Sequence, residues 1–373
     1  MGLFMDYGFY TRTGGREEVV VEAGQVPASA VDLARSNFSR ELKALRRSFR
    51  YNEYARIEQE MHPSGFFAKL GWAVGRGLVA IFTPLDVKLE EAGVLPKLRP
   101  SKQIEALMGE DAPRIVENRK KLASLKLSNK KVWDREHARR AAEKAAGKPE
   151  PGLAVNIPYL SVCVLLDYLF DNRPIQRFWF LETVARMPYF AYTSCLHLYE
   201  SLGWWRAGAE LRRVHNAEEW NELQHLLIME SLGGDKNWID RFMAQHAAVI
   251  YYWILVAMYT LSPPTSYAFS ELVEGHAVDT YAEFLDENEE LLKSLPAPKV
   301  ARDYYAGPDL YLFDSFQTSM PQRGTRRPKI NNLYDVFVAI RDDEDEHIKT
   351  MVACKEGEVQ ESLSKQREEL LKK

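Results

Sequence analysis

Cysteine is scarce in this 373-residue chain, which contains only Cys163, Cys195 and Cys354. The three are far apart and form no C-x-x-C pair, so the sequence has neither a disulfide framework nor a zinc-binding cysteine pattern. Cys163 and Cys195 lie in apolar runs, which predicts that they pack as small hydrophobic side chains.

Targeting signals are not recognisable at the N-terminus. Asp6, Arg12 and a pair of glycines occupy the place of the continuous apolar segment that a secretory signal requires. Glu17 and Glu22 are acidic, whereas organelle transit peptides avoid acidic residues. We therefore expect no clear transit peptide in this chain, which either begins after cleavage on import or needs no import.

Long apolar segments are also missing. The longest run, at 247–261, has 15 residues, fewer than the roughly 20 that cross a bilayer. Together with the run at 157–170 it is short and rich in aromatic residues, which is typical of helices that lie in one membrane leaflet. Ordinary core helices are the alternative interpretation.

Net charge is small overall but unevenly distributed. The whole chain carries −4, whereas residues 113–149 contain 12 Lys and Arg against 4 Asp and Glu, a local excess of +8. This stretch predicts either a solvated helical arm or a surface for anionic lipid or an acidic partner. It lacks the interleaved aromatics of a base-stacking platform, so no nucleic-acid partner is predicted.

Strand-like alternation is absent, and helical segments follow one another from residue 151 onward. We predict an all-α fold with three parts: an N-terminal extension of unknown role at 1–150, a helical domain at 151–356, and a charged tail at 357–373. Within the helical domain, helices are predicted at about 157–171, 176–202, 208–232, 238–261, 265–295 and 332–356.

Two Glu-x-x-His pairs, Glu222 with His225 and Glu344 with His347, are the most informative motif. Residues three apart share a helix face, so each pair can direct a carboxylate and an imidazole to one place. In ferritin-like four-helix bundles, one more Glu from each of two other helices completes a cage for two metal ions. The alternative, a solvated acidic patch, fits 342–346 taken alone, but the apolar stripe of that helix turns Glu344 inward.

The two remaining carboxylates must come from two other helices. Glu182 follows an apolar stretch, where an acid is costly unless it has a partner. On the helix predicted at 265–295, both Glu271 and Glu274 are candidates, and their spacing does not choose between them.

The motifs resemble those of the alternative oxidases, which are monotopic di-iron quinol oxidases. The resemblance rests on four segments in the same order, namely Leu181-Glu182-Thr183, Asn221-Glu222 with His225, Glu274 with His276-Ala277, and Asp343-Glu344 with His347. The segment 296–318 and the residues Trp204-Trp205-Arg206 look like the plastid branch, whose members oxidise plastoquinol. Residues 1–150 do not resemble the usual N-terminus of the family.

The resemblance implies roles for individual residues. It makes two iron ions the cofactor, with Glu182, Glu222, His225, Glu274, Glu344 and His347 as their ligands. It favours Glu274 over Glu271 and makes Tyr281 a redox-active tyrosine. It assigns the quinol cavity to Arg177, Leu181, Val273, Ala277 and Thr280, and His276 stands where the mitochondrial enzymes carry an acid. Asn221 and Asp343 are expected to hold the imidazoles in place.

The function implied is a quinol:oxygen oxidoreductase that reduces O2 to water without pumping protons. The expected form is a homodimer on one leaflet of the plastid thylakoid membrane. A mitochondrial-type ubiquinol oxidase, and an oxidase-like subunit docked through residues 1–150 in a larger membrane complex, are the alternatives. Soluble di-iron proteins that store iron, hydroxylate substrates or generate radicals are disfavoured by the aromatic membrane face.

Overall fold

The computed structural model describes residues 28–51, 66–101, 112–205, 208–307 and 328–357, with residues 26, 104–105, 108–109 and 361 in addition. The segment 308–318 of the plastid-like stretch, Arg206 and nearly all of the charged tail fall outside the described residues. The described residues contain helices and no strand apart from one isolated bridge, which confirms the all-α prediction.

The described residues form eleven helices. In chain order these are α1 (Ala30–Arg50), α2 (Phe66–Glu91), α3 (Ala112–Ala123), α4 (Asn129–Ala145), α5 (Leu153–Leu169), α6 (Pro174–Ser201), α7 (Gly208–Ser231), α8 (Trp238–Leu261), α9 (Pro263–Ser294), α10 (Lys299–Ala306) and α11 (Leu333–Glu356).

The chain divides into two compact units, one made of 1–125 with 230–241 and the other of 126–229 with 242–373. The second unit contains α4, which precedes the domain boundary predicted at residue 150. The division into compact units does not test which part of the chain folds independently. The domain boundary at residue 150 therefore stays a prediction.

In the first unit, buried ion pairs join α1 to α2. Arg46, itself buried, donates from Nε to Asp86 over 2.6 Å and from an Nη atom to Glu90 over 3.0 Å. Arg50 contacts the same two acids at 2.7 and 2.8 Å. Two arginines thus balance two carboxylates between these helices.

In the second unit, α9 packs along α11 and also against α4 and α5. Proline at the first turn starts both α6 and α9, where its missing N–H costs nothing. The Asn332 side chain caps α11 by accepting from Asp335 N, and Gly357 ends it at φ +79°, a conformation that favours glycine. The α11 signals place Glu344 and His347 inside a helix, and Glu222 and His225 lie inside α7.

Two helices of the second unit expose apolar surface. On α5 and α8 the exposed side chains are large and apolar, namely Leu160, Val164, Leu165, Tyr168, Val249, Ile250, Trp253 and Ile254. The 15-residue run at 247–261 lies within the 24-residue α8, whose bounds match the helix predicted at 238–261. Among the described residues, α8 is the one helix long and apolar enough to cross a membrane by length and composition alone. Attachment to one leaflet stays a prediction.

Candidate metal centre

The structure brings the six predicted ligands together from four helices, α6, α7, α9 and α11. Glu182, Glu222, His225 and Glu344 form one group, and Glu222, Glu274, Glu344 and His347 form a second. Within each group, one ligand atom from every residue lies within 4.8 Å of the others. Glu222 and Glu344 belong to both groups, an arrangement that would suit two neighbouring cations.

Both imidazoles point their Nδ1 atoms at carboxylates of other helices. His347 Nδ1 lies 2.9 Å from a Glu222 oxygen, and His225 Nδ1 lies 3.1 Å from a Glu344 oxygen. His225 Nδ1 is also 3.6 Å from Glu182. The two Glu-x-x-His pairs therefore face each other across the bundle interior.

Carboxyl groups outnumber imidazoles in this cage. Its four glutamates and two histidines are each at most 3% exposed, and no Lys or Arg among the described residues forms an ion pair with the glutamates. Burial, with the nearby Glu344 charge, raises the pKa of Glu222 and Glu274 well above the ordinary value. Burial also opposes ionisation of Glu344, but hydrogen bonds with both imidazoles lower its pKa to about 2.

Several oxygens of the cage make no hydrogen bond within the described part of the chain. They are both carboxylate oxygens of Glu222, one of Glu182 and one of Glu344. A buried carboxylate without partners is costly, and a metal ion is a partner that satisfies it. Oxygen-rich ligands with two imidazoles suit a first-row transition metal such as iron. The residues present therefore fit a two-metal centre.

Glu271, the second candidate on α9, does not reach the cage. Its oxygens contact Lys148 Nζ at 2.8 Å and Lys355 Nζ at 2.7 Å. Burial alone would raise the pKa of Glu271, but hydrogen bonds from these two lysines lower it. Of the two candidates, only Glu274 is directed at the other cage residues.

Two phenols donate to cage glutamates from opposite helices. Tyr281 of α9 donates to Glu182 of α6, and Tyr189 of α6 donates to Glu274 of α9 over 3.0 Å. Each tyrosine follows the glutamate of its own helix by seven residues. Sequence reasoning identified Tyr281 and missed Tyr189, although the same spacing marks both.

Tyr281 is enclosed by aromatic rings. Its ring stacks on Phe178 at a centroid distance of 4.3 Å and lies 6.1 Å from Phe337. Burial, followed by the Glu182 charge, raises the pKa of Tyr281 well above that of an exposed tyrosine. The residue is therefore a neutral phenol that donates a hydrogen bond to the cage.

Comparison with known proteins decides the family. The profile of the family described as alternative oxidase matches residues 159–356, which include all six cage residues and both phenols. The chain belongs to the alternative oxidase family.

Relatives place the chain in the plastid branch of this family. It is 59% identical over 194 residues to ubiquinol oxidase 4, chloroplastic/chromoplastic, of Arabidopsis thaliana, which covers 52% of this chain and 55% of the relative. Mitochondrial ubiquinol oxidase 2 of Glycine max is 28% identical over 182 residues, covering 48% of each chain. The mitochondrial ubiquinol oxidase of Mangifera indica is 29% identical over 182 residues, covering 48% of this chain and 50% of the relative. The chain thus spans about half the length of the curated relatives it matches.

Asp343 contacts the far side of one imidazole of the cage. Its Oδ2 lies 3.0 Å from His225 Nε2, so a proton on Nε2 leaves Nδ1 free to bind metal. Asn221 donates to Asp343 over 3.1 Å and to Tyr304 over 2.7 Å, and Tyr305 donates to Asp343 over 2.9 Å. Asn221 therefore acts on the imidazole only through Asp343, and α10 supplies two phenols that sequence reasoning did not identify.

The residues predicted for the quinol cavity lie on α6 and α9. Arg177 is buried and donates to Asp167 over 2.6 Å and to Asn129 over 2.8 Å. The aliphatic members are half-buried, namely Leu181, Val273 and Ala277. The Thr280 hydroxyl donates to the backbone carbonyl of His276 over 2.6 Å. The assignment of these five residues to a quinol cavity stays a prediction.

Proposed function

We propose that this protein oxidises plastoquinol and reduces O2 to water at a di-iron centre. The observation that carries the proposal is the buried cage of four glutamates and two histidines with unpartnered carboxylate oxygens. Family membership and the 59% identity to a chloroplast relative support the quinol oxidase chemistry and the plastid substrate. Two quinols, each giving two electrons and two protons, balance the conversion of one O2 to two waters.

The residues that would hold the irons are Glu182, Glu222, His225, Glu274, Glu344 and His347. When bound, the irons would supply the redox chemistry toward O2. The four carboxylates and two imidazoles would balance their charge and keep the centre dry. Tyr281 is proposed as the redox-active residue, because its phenol O–H donates a hydrogen bond to Glu182 of the cage.

The proposed place of action is one leaflet of the plastid thylakoid membrane, with a homodimer as the working form. The exposed apolar faces of α5 and α8 support contact with lipid, and the reduced quinol is itself a lipid-soluble molecule. A site reached from one leaflet provides no path across the bilayer. We therefore propose that oxidation is not coupled to proton pumping.

The test measures iron content and oxygen uptake of the purified chain with short-chain plastoquinol and ubiquinol analogues. The expected result is two irons per chain and faster uptake with plastoquinol. Glu222→Ala should abolish both iron binding and uptake. Equal rates with the two quinols would overturn the substrate assignment, and full uptake by the variant would overturn the metal centre.

A further inference from the structure

A helix outside the segment matched by the family profile contributes to the polar cluster around Arg177. The profile begins at residue 159, whereas α4 covers Asn129–Ala145. Glu136 of this helix is fully buried and lies against His276 of α9. The ring of Trp133, also on α4, lies 5.1 Å from the ring of His276, and its indole donates to Asp167 over 2.8 Å.

The hydrogen bonds define which nitrogen of His276 carries the proton. Arg177 Nη2 lies 3.3 Å from His276 Nε2, and a guanidinium has only donors, so Nε2 must be the acceptor. The proton then sits on Nδ1, which lies 2.8 Å from a carboxylate oxygen of Glu136. Tyr159 donates to the same oxygen over 2.5 Å. Glu136 thus holds the imidazole in one tautomer and one orientation.

The cluster has a donor and an acceptor to offer a ligand. Arg177 is fully buried, yet its Nε–H has no hydrogen-bond partner within the described part of the chain. His276 Nε2 has only the long contact with Arg177. A quinol hydroxyl that replaces the long Arg177 contact can donate to His276 Nε2 and accept from Arg177 Nε–H. The arrangement is therefore complementary to a hydroquinone head group.

Ion pairs fix α4 against α9 at this point. Arg135 contacts Glu283 at 2.9 Å, and Arg139 contacts Asp279 at 2.9 Å. Gly275 allows the approach, because a Cβ there would lie 2.8 Å from the Arg139 guanidinium. The position of Glu136 beside His276 is thus set by several contacts along the helix.

We propose that Glu136 is a positioning residue for quinol binding, which keeps His276 Nε2 available as an acceptor next to Arg177. The proposal rests on the proposed function, since it names a further part of the same quinol site. It assigns α4, a helix outside the family segment, to the wall of that site.

The experiment uses the full-length iron-loaded chain with a short-chain plastoquinone and its quinol. Binding is followed by quenching of tryptophan fluorescence, and Trp133→Phe identifies the share of the signal that comes from the site. Glu136→Gln keeps the side-chain length but removes the charge, and Glu136→Asp keeps the charge but shortens the reach. Glu143→Gln on the same helix is the matched control, because Glu143 pairs with Arg139 and Lys148.

Both Glu136 variants should bind plastoquinone roughly tenfold more weakly, as expected for loss of a hydrogen bond to a charged group. The KM for quinol should rise by a similar factor while kcat changes little, since a binding interaction is lost. Iron content and helical circular dichroism should match wild type. If Glu136→Gln fails to hold iron, the plastoquinone binding and the KM of Glu136→Asp test the inference instead.

Unchanged binding and KM in a folded Glu136 variant would overturn the inference. An equal loss of plastoquinone binding in Glu143→Gln would also overturn it. Removing any negative charge from α4 would then explain the result. If wild type neither bound plastoquinone nor oxidised the quinol, the proposed function itself would fail, which is a distinguishable outcome.

Discussion

Glu271 and Glu274 lie three residues apart on α9, and both are at most 5% exposed. Glu271 has a lowered pKa because two lysines donate hydrogen bonds that outweigh the effect of burial. Glu274 has a raised pKa because burial and the Glu344 charge act in the same direction. The same residue type at similar depth on one helix therefore serves two different purposes.

The same contrast in charge partners separates the α4-facing side of α9 from the cage. Acids of α9 that face α4 are neutralised by protein cations, as Glu283 is by Lys131 and Arg135. The cage has carboxylates in excess of its two imidazoles and no Lys or Arg pairs among the described residues. A cage whose carboxylates have no Lys or Arg partner suits bound cations, whereas the lysines and arginines of the α4-facing side make that side structural.

The largest expected effect separates these two acids directly. Glu274→Ala removes an oxygen ligand, so the purified protein should lose its iron and all quinol oxidation. Glu271→Ala leaves Lys148 and Lys355 without this partner, but both are partly exposed to water, so the variant should keep its iron and its activity. Metal analysis and oxygen uptake on the two variants provide the measurement. Iron loss in Glu271→Ala together with retention in Glu274→Ala would invert the comparison.

A second effect distinguishes the two phenols of the cage. Tyr281→Phe should retain iron and fold but reduce turnover by roughly a hundredfold or more, as for loss of a proton-transfer group. Tyr189→Phe removes a hydrogen bond to Glu274 and should reduce turnover much less. Oxygen uptake normalised to iron content measures both. Near-wild-type turnover in Tyr281→Phe would reduce that residue to a packing role.

A third effect concerns the support behind His225. Asp343→Asn weakens the acceptor for Nε2–H and should lower iron affinity by about 10–100-fold. Asp342→Asn, on the exposed side of the same helix, is the control. Competition with a chelator measures the affinity. If the two variants released iron equally, the Asp343 contact would have no special role.

A fourth effect tests the boundary between the extension and the helical domain. Deleting residues 1–150 removes Arg135 and Arg139 and leaves Glu283 and Asp279 without their partners. Each unpaired buried acid should cost about 1–3 kcal/mol in the free energy of unfolding. Deleting 1–125 retains α4 and should avoid this loss. Denaturant unfolding of both chains would decide, and equal stability would support the boundary at 150.

The smallest effect is a pH dependence of the neutralised face. The folded pKa of Glu271 lies below its ordinary value, so it contributes stability above the unfolded pKa of about 4.3. That contribution is lost as pH falls through the folded pKa. Glu271→Gln should therefore flatten the acid limb of stability below about pH 4.3, as followed by thermal melts. An unchanged acid limb would show that the lysine contacts do not operate in solution.

Sequence reasoning found the features that local patterns carry. Helical spacing was enough to pair Glu222 with His225 and Glu344 with His347, and an acid inside an apolar stretch was enough to single out Glu182. It could not find Glu136 as the partner of His276, because 140 residues separate them in the chain. It did place α8 at 238–261, the bounds that the structure gives this helix.

The sequence by itself determined the all-α class, the helices that carry the ligands and the residue types available for a metal. These are set by periodicity and helix-end signals within a few neighbouring residues. Helical spacing left Glu271 and Glu274 open, and only the tertiary structure shows that Glu274 enters the cage, as the family resemblance had favoured, while lysines hold Glu271. Only the tertiary structure shows that Tyr189 donates to Glu274 and Tyr281 to Glu182 between α6 and α9. The charged neighbours of a buried acid lie on helices from distant parts of the chain. Local spacing within one helix therefore cannot predict them.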